Sequence, residues 1–74
     1  MQKHIEEELA GAEEYIKMLH EHKEHACIFR QMAWDEYNHA KHLIWIAEHE
    51  GIKVPDMTAR LAEVKAKLLH EHNK

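Results

Sequence analysis

A chain of 74 residues makes one small domain, and a monomer of this length buries too little surface to be comfortably stable, so a metal, an oligomer or both is expected to help. The formal net charge of −4, with Lys and Arg scattered singly, argues against a nucleic-acid partner, and the single Cys27 excludes an internal disulfide. Nine His and twelve Glu instead make the chain rich in groups that bind transition metals.

No apolar run exceeds a few residues, and the opening "MQKHIEEELAGAEEY" is rich in Glu from Glu6 onward. Neither a membrane span nor a signal peptide is read, and the expected location is the cytoplasm. Glycine occurs only at Gly11 and Gly51 and proline only at Pro55, with strong helix formers between them, so the fold class is all-α. At about 100° per residue, Ile5, Leu9, Ala12, Ile16 and Leu19 share one stripe of a first helix. Ile28, Phe29, Met32, Ala33, Ala40, Leu43, Ile46 and Ala47 share a stripe of a second.

The two stripes do not join smoothly through the polar "HEHKEHA". A turn is placed there although it lacks Gly, Pro and Asn; a continuous rod exchanged between chains would build the same cross-section. "EHEGIKVPD" is a clear break, with Gly51 suited to a left-handed position past a helix end, Ile52 packing back on Ile46 or Ala47, and Pro55 barring continuation. Asp56 or Thr58 is expected to cap a last helix reaching about Leu69, with Met57, Leu61, Val64 and Leu68 on its inner side. The expected organisation is a helical hairpin over residues 1–50 that carries the chemistry, then a linker and a short C-terminal helix over 51–74 of the same domain.

The chemistry is concentrated in "WDEYNHAKHL". Glu36 and His39 stand one turn apart on the stripe that carries Met32, Ala33, Ala40 and Leu43, where an unpaired carboxylate would cost several kcal/mol or stay protonated. Mutual hydrogen bonding of the two is the bland explanation, and metal binding the sharper one. On the first helix Glu8 lies on the inward face beside Ile5, Leu9 and Ala12; the other Glu of that segment point outward or to its flank. A solvated Glu8 in an acidic first turn is the alternative, with Glu7 next in line as a ligand. The point midway between Glu8 and the Glu36/His39 pair falls at Glu21 to Lys23, at the edge of the polar stretch, so an antiparallel hairpin brings two carboxylates and one imidazole level. Three ligands leave a site open, and a second copy of the chain would bury the exposed stripes and bring two such sets together.

"DEYNH", Asp35 to His39, together with Glu8 upstream, resembles the D-E-x-x-H pattern of the ferritin-like di-iron carboxylate proteins, and the short chain with one motif is most similar to the two-helix half-ferritin, or encapsulated-ferritin, type. In that superfamily one Glu from each of two helices joins a Glu-x-x-His from each of two others. The resemblance covers residues 4 to 50. It implies a homodimer, or a larger homo-oligomer, built as a ferritin-like four-helix bundle around two Fe per dimer. Glu36 would bridge the metals, and Glu8 and His39 would be terminal ligands; these three are the candidate catalytic residues of a ferroxidase that oxidises Fe(II) to Fe(III). Asp35 would hold the partner chain's metal-bound His, and Tyr15 would donate a hydrogen bond near the site. Gly11 and Ala12 would leave room near Glu8. An encapsulin-type shell and a protein nanocompartment are the partner and location the resemblance suggests, yet no shell-directing extension is read at "HEHNK". The alternative function is a non-catalytic module that holds Zn or another metal at the same residues, or a purely structural one.

The remaining features are read as ordinary. His20, His22 and His25 are solvated turn residues or a second metal patch; His42, His49, His70 and His72 are surface. His4 and Glu8 form an i,i+4 pair. Trp34, Tyr37, Ile44 and Trp45 line the opposite side of the second helix and await cover by the third helix or another dimer. Cys27 is expected to be buried and inert.

Overall fold

A computed structural model describes residues 1–72. Three helices, α1 (Gln2–Glu21), α2 (Ala26–His49) and α3 (Pro55–His72), form an all-α fold with no strand among the described residues. Its extents are 43 × 19 × 14 Å, the long axis exceeding the roughly 36 Å length of α2 because turns project beyond both of its ends. No helix of the described residues is long and apolar enough to cross a membrane.

The chain reverses between α1 and α2 through His22 and a short 3-10 turn at Lys23–His25. His22 leaves the helical region at φ −126°, ψ 69°, and its N–H still donates to the Met18 carbonyl at 2.8 Å. A negative φ is open to any residue, so this reversal needs no glycine. The second break does. Gly51 has φ +82°, its N–H donates to the Glu48 carbonyl at 3.0 Å, and the Ile52 N–H donates to the Ala47 carbonyl at 2.8 Å. That pair of bonds is the Schellman ending, which takes up carbonyls the helix would otherwise leave unpaired. Pro55 then occupies the first helical position, where the missing N–H costs nothing. Thr58 is not the cap expected of it, because its hydroxyl donates to the Val54 carbonyl at 3.2 Å.

The first-helix stripe is buried as expected: Ile5, Leu9, Ala12, Ile16 and Leu19 all face the core. α2 is rotated from its expected setting. Ala33, Tyr37, Ala40, Ile44 and Ala47 are buried, whereas Ile28 is 59% exposed and Ile46 38% exposed. The reason is α3, whose Met57, Val64 and Leu68 enter the same core. A helix with two neighbours buries the line between them, and the alanines of α2 recur every seven residues along that line and let both neighbours approach. Tyr37 and Ile44, on the side expected to await cover by the third helix, are interior because α3 covers them. Trp34 packs at the edge of the core with its ring against Tyr37 at 5.4 Å, and Trp45 remains 60% exposed, stacked on His49 at 4.4 Å. Cys27 is exposed, a correction to its expected burial: it sits in the first turn of α2, off the line of Ala33, Tyr37, Ala40, Ile44 and Ala47 that the core covers.

Polar contacts hold α3 beside α1, the two running in the same direction. The Arg60 guanidinium donates to Glu13 at 2.8 Å, Lys67 donates to the other Glu13 oxygen at 3.3 Å, and His20 meets Glu71 at 2.9 Å. Arg60 above all, with Lys67, holds the Glu13 carboxyl below the usual carboxylate range. A depressed carboxyl contributes stability above its unfolded pKa and loses it as pH falls through its folded pKa. Glu13→Gln is expected to cost ~0.5–1 kcal/mol at neutral pH, the modest value proper to a pair more than a third exposed, and to flatten the acid limb of a urea-midpoint-versus-pH curve.

Candidate metal centre

The hairpin leaves one long face open, on the side away from α3. Tyr15 on α1 and Phe29, Met32 and Leu43 on α2 lie along it half-buried, and Tyr15 stacks on Phe29 with ring centroids 6.4 Å apart. Glu8, Glu36 and His39 sit within this face. Glu8 and the 36/39 pair are level because both lie about fourteen residues from the turn, the register that antiparallel packing imposes.

The three side chains converge. One donor atom from each lies within 4.8 Å of the others. His39 Nδ1 is 3.2 Å from Glu8 Oε2 and 3.6 Å from Glu36 Oε1. Two donors bound at about 2.1 Å to one ion sit about 3–4 Å apart, so the triangle has the dimensions of half a coordination shell. Both Glu side chains are 28% exposed and His39 is 57% exposed, which leaves the outer side of the triangle open. Two carboxylates and an imidazole are a mixed oxygen and nitrogen set suited to first-row divalent metals such as Fe(II) and Zn(II).

Electrostatics makes the arrangement unfavourable for its own carboxylates. The Glu36 carboxyl is raised above the usual range, by desolvation first and then by the hydrogen bond and charge of Glu8, with His39 offsetting part of the effect and Asp35 adding to it. A raised carboxyl contributes stability that is fully present below its unfolded pKa and is lost as pH rises through its folded pKa. The metal-free protein is therefore expected to lose stability as pH climbs through the upper carboxylate range, and Glu36→Gln to remove that slope in thermal melts. A cation reverses the sign, since it binds the ionised form.

Gly11 supplies the space for Glu36. A Cβ placed on Gly11 would stand 2.8 Å from Glu36 Oε2, and the three atoms nearest to it all belong to the Glu36 side chain. The room expected beside Glu8 is thus occupied by the carboxylate of the facing helix. A glycine in mid-helix one turn from an inward Glu was the available signal, but only the packed structure shows which carboxylate fills it.

The other candidates are placed differently. Asp35 is exposed and reaches Glu36 only through its charge. Tyr15 meets Phe29 and makes no hydrogen bond with the cluster among the described residues. Glu7 is exposed and outside the triangle, and His4 is exposed without an ion pair to Glu8 among the described residues. The turn histidines do not gather: His20 faces Glu71, His22 lies 6.0 Å from the Phe29 ring and 3.8 Å from Glu24, and His25 is exposed. His42, His49 and His70 are exposed, and the His72 side chain lies outside the described residues. A cleft of about 360 Å³ between the turn and the end of α3, lined by Leu19, His20, Lys23, Ala26, Arg30 and Glu71, does not touch the triangle.

No protein-family model matches the chain, and no curated protein or solved structure matches it.

Proposed function

We propose that this protein is a metal-binding helical module in which Glu8, Glu36 and His39 hold a first-row divalent ion. One observation supports this above the rest: three donors from two helices, brought from opposite sides of a turn, meet at ligand spacing with a carboxylate held at energetic cost.

A second copy of the chain is the proposed source of the remaining ligands. The open face carries half-buried Phe29, Met32 and Leu43 and exposed Ile28 and Ile46 around an incomplete shell, and a two-fold pairing there would cover the apolar side chains and bring two triangles together. Four helices and four Glu with two His would then match the di-iron carboxylate pattern. On this finer reading the protein is a ferroxidase, and iron at such a site supplies one-electron chemistry toward dioxygen or peroxide. This chain's part is to hold Glu8 and Glu36 ionised beside the metals and to keep His39 turned toward them.

Equilibrium binding with Fe(II) under anaerobic conditions, followed by admission of oxygen, tests both levels. Binding of about one ion per chain, lost in Glu36→Ala, is the result expected of the metal site. Oxygen uptake coupled to the Fe(II) band's disappearance, with dimers by sedimentation, is the further result expected of a ferroxidase. Tight binding of Zn(II) without oxidation of Fe(II) would leave the non-catalytic module as the function.

A further inference from the structure

The geometry points to Gly11 as the positioning residue of the metal centre: its missing side chain forms a notch in α1 that seats the Glu36 carboxylate beside Glu8 and His39. This rests on the metal-binding reading above and adds to it a residue that donates no ligand atom.

Gly11 lies within the single turn of α1 that follows Glu8, ten residues from the helix end at Glu21, where glycine is unfavourable relative to alanine. Nothing in the backbone asks for it. Gly51 alone among the described residues has positive φ, so Gly11 has the ordinary conformation of an α-helix. The nearest atoms to an added Cβ are Oε2, Cδ and Cγ of Glu36 at 2.8, 3.6 and 3.6 Å, with no backbone of a facing helix among them. The glycine therefore serves a carboxylate and not a close helix crossing. A methyl group at 2.8 Å is inside any tolerated contact, and the end of a flexible side chain is what gives way. Glu36 would swing out toward solvent, away from the His39 Nδ1 that now lies 3.6 Å from it.

Two opposite consequences follow from one substitution. Gly11→Ala improves the helix and relieves a crowded carboxylate, so the metal-free protein should melt higher by roughly 3–6 °C. The same change removes one of three donors from the triangle, so affinity for Co(II), used as a spectroscopic probe, should fall at least about tenfold. A glycine required for packing would instead lower the melting temperature.

The experiment compares wild type, Gly11→Ala and Glu36→Ala by Co(II) absorption titration and by thermal unfolding in chelator. Weaker binding with a raised melting temperature in Gly11→Ala is the expected outcome. Binding within twofold of wild type, or a lowered melting temperature, would overturn the role given to Gly11 while leaving the metal site standing. Absence of Co(II) binding by wild type would instead reject the metal site, and the role of Gly11 with it.

Discussion

Titrating the wild-type chain with a divalent first-row metal should raise its melting temperature by roughly 10–20 °C once the free ion stands at about one hundred times its dissociation constant. An ion bound only by the folded state adds about 2.7 kcal/mol at that concentration, and in a domain of this size each kcal/mol moves the midpoint by about 4–8 °C. Addition of a strong chelator should return the curve to its starting point. Glu36→Ala should abolish the shift, because the two remaining donors, Glu8 and His39, cannot compete with water for the ion. The same variant should not be less stable than wild type without metal, since it removes a carboxyl that the fold holds above its ordinary pKa. Differential scanning calorimetry of both proteins with and without metal reads all four values. A melting curve indifferent to every divalent ion would show that Glu8, Glu36 and His39 merely satisfy one another.

Leu68→Ala should be among the most damaging single substitutions in the core, at about 2–5 kcal/mol. Leu68 is fully buried, and together with Met57 and Val64 it anchors α3 in the groove between α1 and α2. Typical stability for this length is about 4–11 kcal/mol, so the loss approaches the whole margin. Urea denaturation should show a lower midpoint with an unchanged slope. Metal should restore part of it, because the ligands come from α1 and α2 alone. A loss below about 1 kcal/mol would mean that α3 is an appendage and not part of the core.

Individual residues show why some of this was readable in the sequence and some was not. The α1 stripe was legible because it is amphipathic: its apolar residues recur at spacings of three and four, and the rest are almost all polar. α2 was not, because its apolar residues spread over most of its circumference, from Ile28 and Ile46 through Phe29 and Ile44 to Trp34 and Trp45, and leave polar only the side of Gln31, Asn38 and His42. Periodicity cannot choose among faces that are all hydrophobic. The Gly51 break was legible because only glycine takes φ +82° readily, whereas the turn at His22 uses a conformation open to any residue and announces itself only by polarity. The clamp of Arg60 and Lys67 on Glu13 left no local signature, since its partners are far apart in the chain.

The sequence by itself determined that the chain is helical, that it breaks at Gly51, and that a reversal in the polar stretch would set Glu8, Glu36 and His39 level, because helical pitch and distance from a turn are properties of local chain geometry; that the chain does reverse there, rather than run on as a rod, the structure decided. Tertiary structure alone decided which side of α2 is interior and that Glu36 rests in the notch at Gly11. Those outcomes depend on where a third helix settles, and that is decided by the competition among several apolar surfaces for one core.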